Sequence, residues 1–134
     1  MFPKPTKKVK LKKPLNKVRK TSKSALKRKA DKLFSELIRQ KGFCILKGID
    51  SVSCNGNMQC AHIIGRANHA LRWDLKNALC LCAGHHIYYT SHPWEWQELI
   101  RTKFPGHYEY LNDKRLDVWD KDIEKVLMDL APSK

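Results

Sequence analysis

The sequence predicts an α+β fold: a small β-β-α core flanked by helices, with a basic extended arm at the N-terminus. Three observations predict it. Charge is segregated, because residues 1–30 hold 13 basic side chains and no acid, whereas the remaining residues hold 14 bases against 13 acids. Apolar residues recur at helical spacing both before and after the middle of the chain. The middle itself carries two short apolar runs separated by a polar, irregular stretch, together with all five cysteines. A length of 134 residues and a net charge of +14 are those of one domain with a polyanion-seeking extension.

Residues 1–21 contain Pro3, Pro5 and Pro14 among closely spaced lysines. Such a segment cannot bury enough apolar surface to offset its ordering entropy, so it reads as a disordered arm. From Ser22 the pattern changes. Leu26, Ala30, Leu33, Phe34, Leu37 and Ile38 form one apolar stripe, and Gly42 follows as a stop, predicting a helix over 22–41. Residues 43–64 read as short strands with turns: Asn55-Gly56 is a hairpin signal, and Met58–Ile64 a strand. Residues 65–76 are polar and irregular, with Trp73 as an anchor. Leu79–Cys82 reads as the second strand and Ala83–Thr90 as a short helix, which closes a core spanning 43–90. Ser91-His92-Pro93 opens a helix to Lys103 with proline in its first turn, and Pro105-Gly106 breaks it. A last helix over 118–130 carries Val118, Ile123, Val126, Leu127 and Leu130 on one face. Residues 22–134 are thus one domain, with 91–134 as C-terminal helices. Trp73, Trp94, Trp96 and Trp119 read as core.

Several classes are excluded. No run of about 18 apolar residues exists to span a membrane. The basic N-terminus lacks the apolar region of a secretory signal. Five cysteines without a secretion cue favour a reducing compartment, with the cytoplasm expected, and metal-binding thiolates over a disulfide framework.

The informative stretch is Cys60-Ala61-His62-Ile63-Ile64-Gly65-Arg66, followed by Leu71-Arg72-Trp73-Asp74-Leu75-Lys76-Asn77-Ala78-Leu79-Cys80-Leu81-Cys82-Ala83-Gly84-His85-His86. A strand ending in His, a loop, Asn before a second strand and Cys-x-x-His-His opening a helix form a β-β-α hairpin that gathers His62, Asn77 and His86. This pattern resembles the HNH nuclease motif, the ββα-metal fold, and most closely its phage-type members, over about residues 42–96. The resemblance implies a metal-dependent HNH endonuclease that hydrolyses phosphodiester bonds of double-stranded or branched DNA. It further implies a phage or mobile-element origin with a homing, recombination or packaging role, and a bacterial host cytoplasm as its setting.

The chemistry suits these residue types. Histidine titrates near neutrality and can take a proton from water; the resemblance puts that role on His62. It makes His86 a ligand of a catalytic Mg²⁺ or Mn²⁺, which neutralises charge on the phosphate oxygens. Asn77 pins the loop or orients the His62 ring, and Arg66 and Arg72 hold a phosphate. One departure stands out: many HNH proteins carry Asp or His just before the base, and this chain has Ala61. His92 is the first candidate for the missing ligand, with His69 and Asp74 behind it; water and phosphate oxygens are the alternative.

HNH domains of this type often hold a structural zinc between two Cys-x-x-Cys knuckles. Here Cys82-x-x-His85 forms one, but Lys47 stands where the partner of Cys44 belongs. Cys54 is the replacement, giving Cys44, Cys54, Cys82 and His85; loss of the zinc site is the alternative. Cys60 and Cys80 face the core. The arm's Lys7, Lys8, Lys12, Lys13, Arg19 and Lys20 are expected to grip DNA without sequence preference. Protein partners are left open. The rival expectation is a non-catalytic DNA-binding module on a degenerate HNH scaffold, supported by Ala61 and Lys47.

Overall fold

The computed structural model describes residues 22–119 and 122–131, together with Pro3. The expected arm over 1–21, and with it Lys7, Lys8, Lys12, Lys13, Arg19 and Lys20, lies outside the described residues. Among the described residues the architecture is mixed: five α-helices, a short 3-10 turn and one two-stranded antiparallel sheet. Helix α1, Lys23–Arg39, starts where the Ser22 side chain accepts a hydrogen bond from the Ala25 N–H at 3.2 Å. It buries Ala30 and Phe34, with Leu26, Leu33, Leu37 and Ile38 beside them.

Strand β1, Met58–His62, pairs with β2, Ala78–Cys82, so that Cys60 faces Cys80 and His62 faces Ala78. The strand expected to reach Ile64 stops two residues sooner. Ile63 still donates to the Asn77 carbonyl at 2.8 Å, but the Ile64 N–H is taken by the Asn77 side-chain oxygen at 2.8 Å. A side chain therefore ends the ladder. Because side chains alternate across a strand, the hairpin presents two faces. Cys60 and Ala78 pack toward α1, whereas Ala61, Leu79 and Leu81 pack with Cys44, Leu46, Tyr89 and Ile100. Cys80 is buried and Cys60 partly so, as expected of core thiols.

Residues 43–57 form turns and bends, not the short strands expected. One ladder-like bond reaches the sheet from this segment, Ile45 N–H to the Cys80 carbonyl at 3.0 Å. Cys44 turns inward, and Cys54 reaches the same point from an exposed position. Gly56 does have the positive φ (+78°) that Asn55-Gly56 calls for, yet the turn joins no two strands. It seats the chain against the next helix: an added Cβ would lie 2.6 Å from the Ala83 Cβ. The Asn57 and Asn55 carbonyls accept from Ala83 and Gly84 at 2.9 and 3.0 Å, satisfying free N–H groups at a helix start.

That helix is α2, Ala83–Ser91; α3 follows over Pro93–Lys103. Pro105-Gly106 does not leave a plain break, because Pro105 sits in the first turn of a further helix, α4, Pro105–Lys114. Helix α5, Ile123–Leu130, begins at the Asp122 cap and not at 118, packs on α1 through Ile123, Val126 and Leu130, and leaves Val118 exposed. Trp73 is buried, and Trp96 and Trp119 pack against the two apolar clusters. Trp94 is 81% exposed and belongs to neither. Among the described residues no helix is long and apolar enough to cross a membrane.

Candidate active site and metal centre

The cysteine-rich side of the hairpin converges on one point. Cys44 comes from the turn after α1, Cys54 from the segment before β1, Cys82 from the end of β2 and His85 from the first turn of α2. Their ligand atoms all lie within 4.8 Å of one another. The His85 Nδ1 stands 3.1 Å from Cys82 Sγ, 3.5 Å from Cys54 Sγ and 3.6 Å from Cys44 Sγ. A tetrahedral zinc with ordinary bond lengths separates sulfur from nitrogen by about 3.5 Å, so the donor set has the size and chemistry of a metal site. The expected quartet is therefore assembled, with Cys54 in place of the excluded Lys47.

Two residues that carry no sequence signal complete it. The His85 Nε2 donates to Asp50 Oδ1 at 2.8 Å, and the Tyr89 hydroxyl donates to Asp50 Oδ2. A carboxylate only accepts, so Nε2 carries a proton and Nδ1 is the ring nitrogen turned toward the thiols. Burial raises the Asp50 pKa, but the Tyr89 and His85 bonds outweigh it and hold the carboxylate ionised. Cys82 ionises before Cys54: burial opposes this, but the His85 backbone N–H and ring and the Asn55 backbone bring its pKa down to about 6. Burial and the neighbouring Cys82 and Cys44 sulfurs push Cys54 up to about 11.

His62 lies on the other face. Its ring stacks on Phe34 of α1, centroids 5.3 Å apart, and its Nε2 meets the Arg72 carbonyl at 3.2 Å. A carbonyl cannot donate, so Nε2 carries the proton and the neutral ring leaves Nδ1 as a free acceptor. Burial lowers the His62 pKa, and the Arg66 and Arg72 charges add to this; the carbonyl bond and Asp31 oppose it without restoring the usual value. Asn77, fully buried, accepts from Ile64 N–H and donates to the Ile64 and Leu71 carbonyls at 2.9 and 3.0 Å. It pins the loop between the strands and does not touch the His62 ring.

His86 sits beside Gln59, its Nδ1 2.7 Å from the Gln59 Oε1, which leaves Nε2 open; burial lowers its pKa also. Gln59 and His62 have opposite parity on β1, so the two imidazoles occupy opposite faces of the hairpin. The other expected cation ligands do not join His86. His92 lies six residues along, about 9 Å at the helical rise, stacks on Tyr88 at 4.1 Å and donates through Nδ1 to the Tyr88 carbonyl. His69 packs against Trp119, its ring tilted by 37°. Asp74 caps the short turn at Leu75–Asn77 and accepts from the Tyr110 hydroxyl. Among the described residues the Cys44 cluster is the one group of three or more such side chains gathered closely enough to hold an ion.

The arginines divide. Arg72 makes a two-pronged pair with Asp31, Nε to Oδ1 at 3.0 Å and Nη2 to Oδ2 at 2.6 Å, which occupies the guanidinium expected to hold phosphate. Arg66 is 62% exposed and stands 3.8 Å from the same carboxylate, open to a second anion.

No family model matches this chain, and no curated protein and no solved structure shows significant similarity to it.

Proposed function

We propose that the chain is an HNH-type DNA endonuclease whose hairpin is stapled by zinc at Cys44, Cys54, Cys82 and His85. One observation carries the catalytic half: His62 is held as a neutral ring, Nε2 spoken for by a carbonyl and Nδ1 free. That is the state a general base needs at neutral pH. In this reading Nδ1 takes a proton from the attacking water, Asn77 keeps the loop in place, and Arg66 steadies a phosphate. His86 Nε2 would be the protein ligand for a Mg²⁺ or Mn²⁺ ion; because its ring lies across the hairpin from that of His62, this reading requires DNA binding to bring both rings to one phosphate. Such an ion neutralises charge on a phosphoryl group in transit. The 13 bases of residues 1–30 supply attraction to the DNA backbone, sequence-independent and salt-sensitive. A phage or mobile-element setting comes with the resemblance.

A second reading, a DNA-binding module without catalysis, is favoured by the separation of His62 and His86 and by Ala61 at the ligand position. One experiment divides them. Supercoiled plasmid, branched DNA and RNA are incubated with the protein in EDTA, Mg²⁺, Mn²⁺ or Zn²⁺. The nuclease reading expects metal-dependent cutting that His62→Ala abolishes while DNA affinity survives. Absence of cutting in every condition, with DNA affinity retained, overturns the nuclease reading and favours the binding module.

A further inference from the structure

We propose that Asp31 of α1 is a positioning residue that fixes the His62 imidazole by holding the Arg72–Trp73 peptide. Its meaning for catalysis rests on the reading above; its structural content does not. The carbonyl that His62 Nε2 meets belongs to the peptide unit between residues 72 and 73. Both side chains flanking that unit end on the same carboxylate. Arg72 grips it with Nε and Nη2, and Trp73 Nε1 donates to Oδ1 at 2.9 Å. The surrounding loop is tied on either side of this unit, by Asn77 Nδ2 to the Leu71 carbonyl and by the Tyr110 hydroxyl to Asp74, but neither bond reaches the 72–73 peptide itself. Trp73 also packs against Trp119 and the α1–α5 cluster, but Asp31 is the hydrogen-bond partner that the Arg72 and Trp73 side chains share.

The same helix supplies the other wall. Phe34 lies three residues after Asp31, hence on the same helical face, and stacks on the His62 ring. Helix α1 thus meets the imidazole twice: directly through Phe34, and through the carboxylate that sets the carbonyl. Asp31 is also the first acid in the chain, standing after 13 bases. Its side chain is 19% exposed and is turned inward to Arg72 and Trp73.

The test uses the full chain, zinc-loaded and labelled with ¹⁵N-histidine, at pH 8. The His62 ring N–H is assigned by its loss in His62→Ala. The expected wild-type signal is an Nε2 proton protected from solvent exchange; in Asp31→Ala its exchange accelerates at least about tenfold. Arg72→Met and Trp73→Phe each cut one tie and accelerate it less, and they decide the matter if Asp31→Ala fails to fold. Asp31→Asn, which keeps an acceptor for Trp73, falls between. Unchanged exchange in folded, zinc-retaining Asp31→Ala, or in both single-tie variants, overturns the proposal. Where the wild type cuts DNA, Asp31→Ala lowers kcat about tenfold to a hundredfold with KM unchanged. A wild type that does not cut overturns the nuclease reading and leaves the exchange result to decide this one.

Discussion

Stripping metal from the Cys44, Cys54, Cys82 and His85 cluster should destabilise this protein more than any single core substitution. The segment over residues 43–57 has no regular secondary structure, and Cys44 and Leu46 are its fully buried apolar residues. Beyond these side chains, the Ile45, Asn55 and Asn57 backbone bonds and the Asp50 contacts, cross-linking is what remains to fix it. Treating each metal-mediated link like a covalent one, closing the loop of about 11 residues from Cys44 to Cys54 is worth about 2.7 kcal/mol. Closing the loop of about 29 residues from Cys54 to Cys82 is worth about 3.6 kcal/mol. Together these make about 6 kcal/mol, a large share of the roughly 5–15 kcal/mol that holds a domain folded. At about 4 °C per kcal/mol for a chain of this size, Tm falls by about 25 °C. The assay pairs elemental analysis, expected to give one zinc per chain, with thermal unfolding followed by near-ultraviolet circular dichroism before and after chelation. A metal-free protein melting within about 2 °C of the loaded one would refute the reasoning, as would purification without a bound metal that added zinc cannot supply.

Three further outcomes follow from the same geometry. Asp50→Ala frees the His85 ring to rotate and to lose its Nε2 proton partner, so zinc affinity in competition with a chelating dye should drop about 10–100-fold; an unchanged affinity removes Asp50 from the site. Phe34→Ala deletes a side chain that is 1% exposed and stacked on His62, at a cost of about 3–5 kcal/mol in urea unfolding; a loss below about 1 kcal/mol means the α1 face is not packed as described. Burial holds the His62 pKa below the ordinary value of 6.5, so any cleavage should be flat above pH 6.5 and decline only below it. The sign for stability agrees: the unfolded chain binds that proton more readily, so the His62 contribution is present above 6.5 and lost as pH falls toward the folded pKa. A descending limb centred above pH 6.5 contradicts the assignment.

Much of this molecule can be read without coordinates. The stripe from Leu26 to Ile38 specifies α1 because a helix needs only local periodicity to choose its buried face. The runs around Cys60 and Cys80 specify the hairpin, and the Cys82-x-x-His85 spacing places two ligands at a helix start. The replacement of position 47 by Cys54 is only half legible: ligand chemistry eliminates lysine, but the sequence leaves loss of the zinc site open until the four donors are seen together. What spacing cannot reach is any partner chosen in three dimensions. Asp31 lies 41 residues from Arg72, and Asp50 lies 35 from His85. Nothing local distinguishes either acid from a solvated one. Likewise, the single-residue offset between Ala61 and His62 is invisible as a motif yet decides which face of the sheet each side chain takes, and so separates His62 from His86. Pattern in the chain determines which elements form and which ligand types are at hand; packing decides which side chains meet, because a hydrogen bond or a metal bond depends on ångströms that only the folded whole sets.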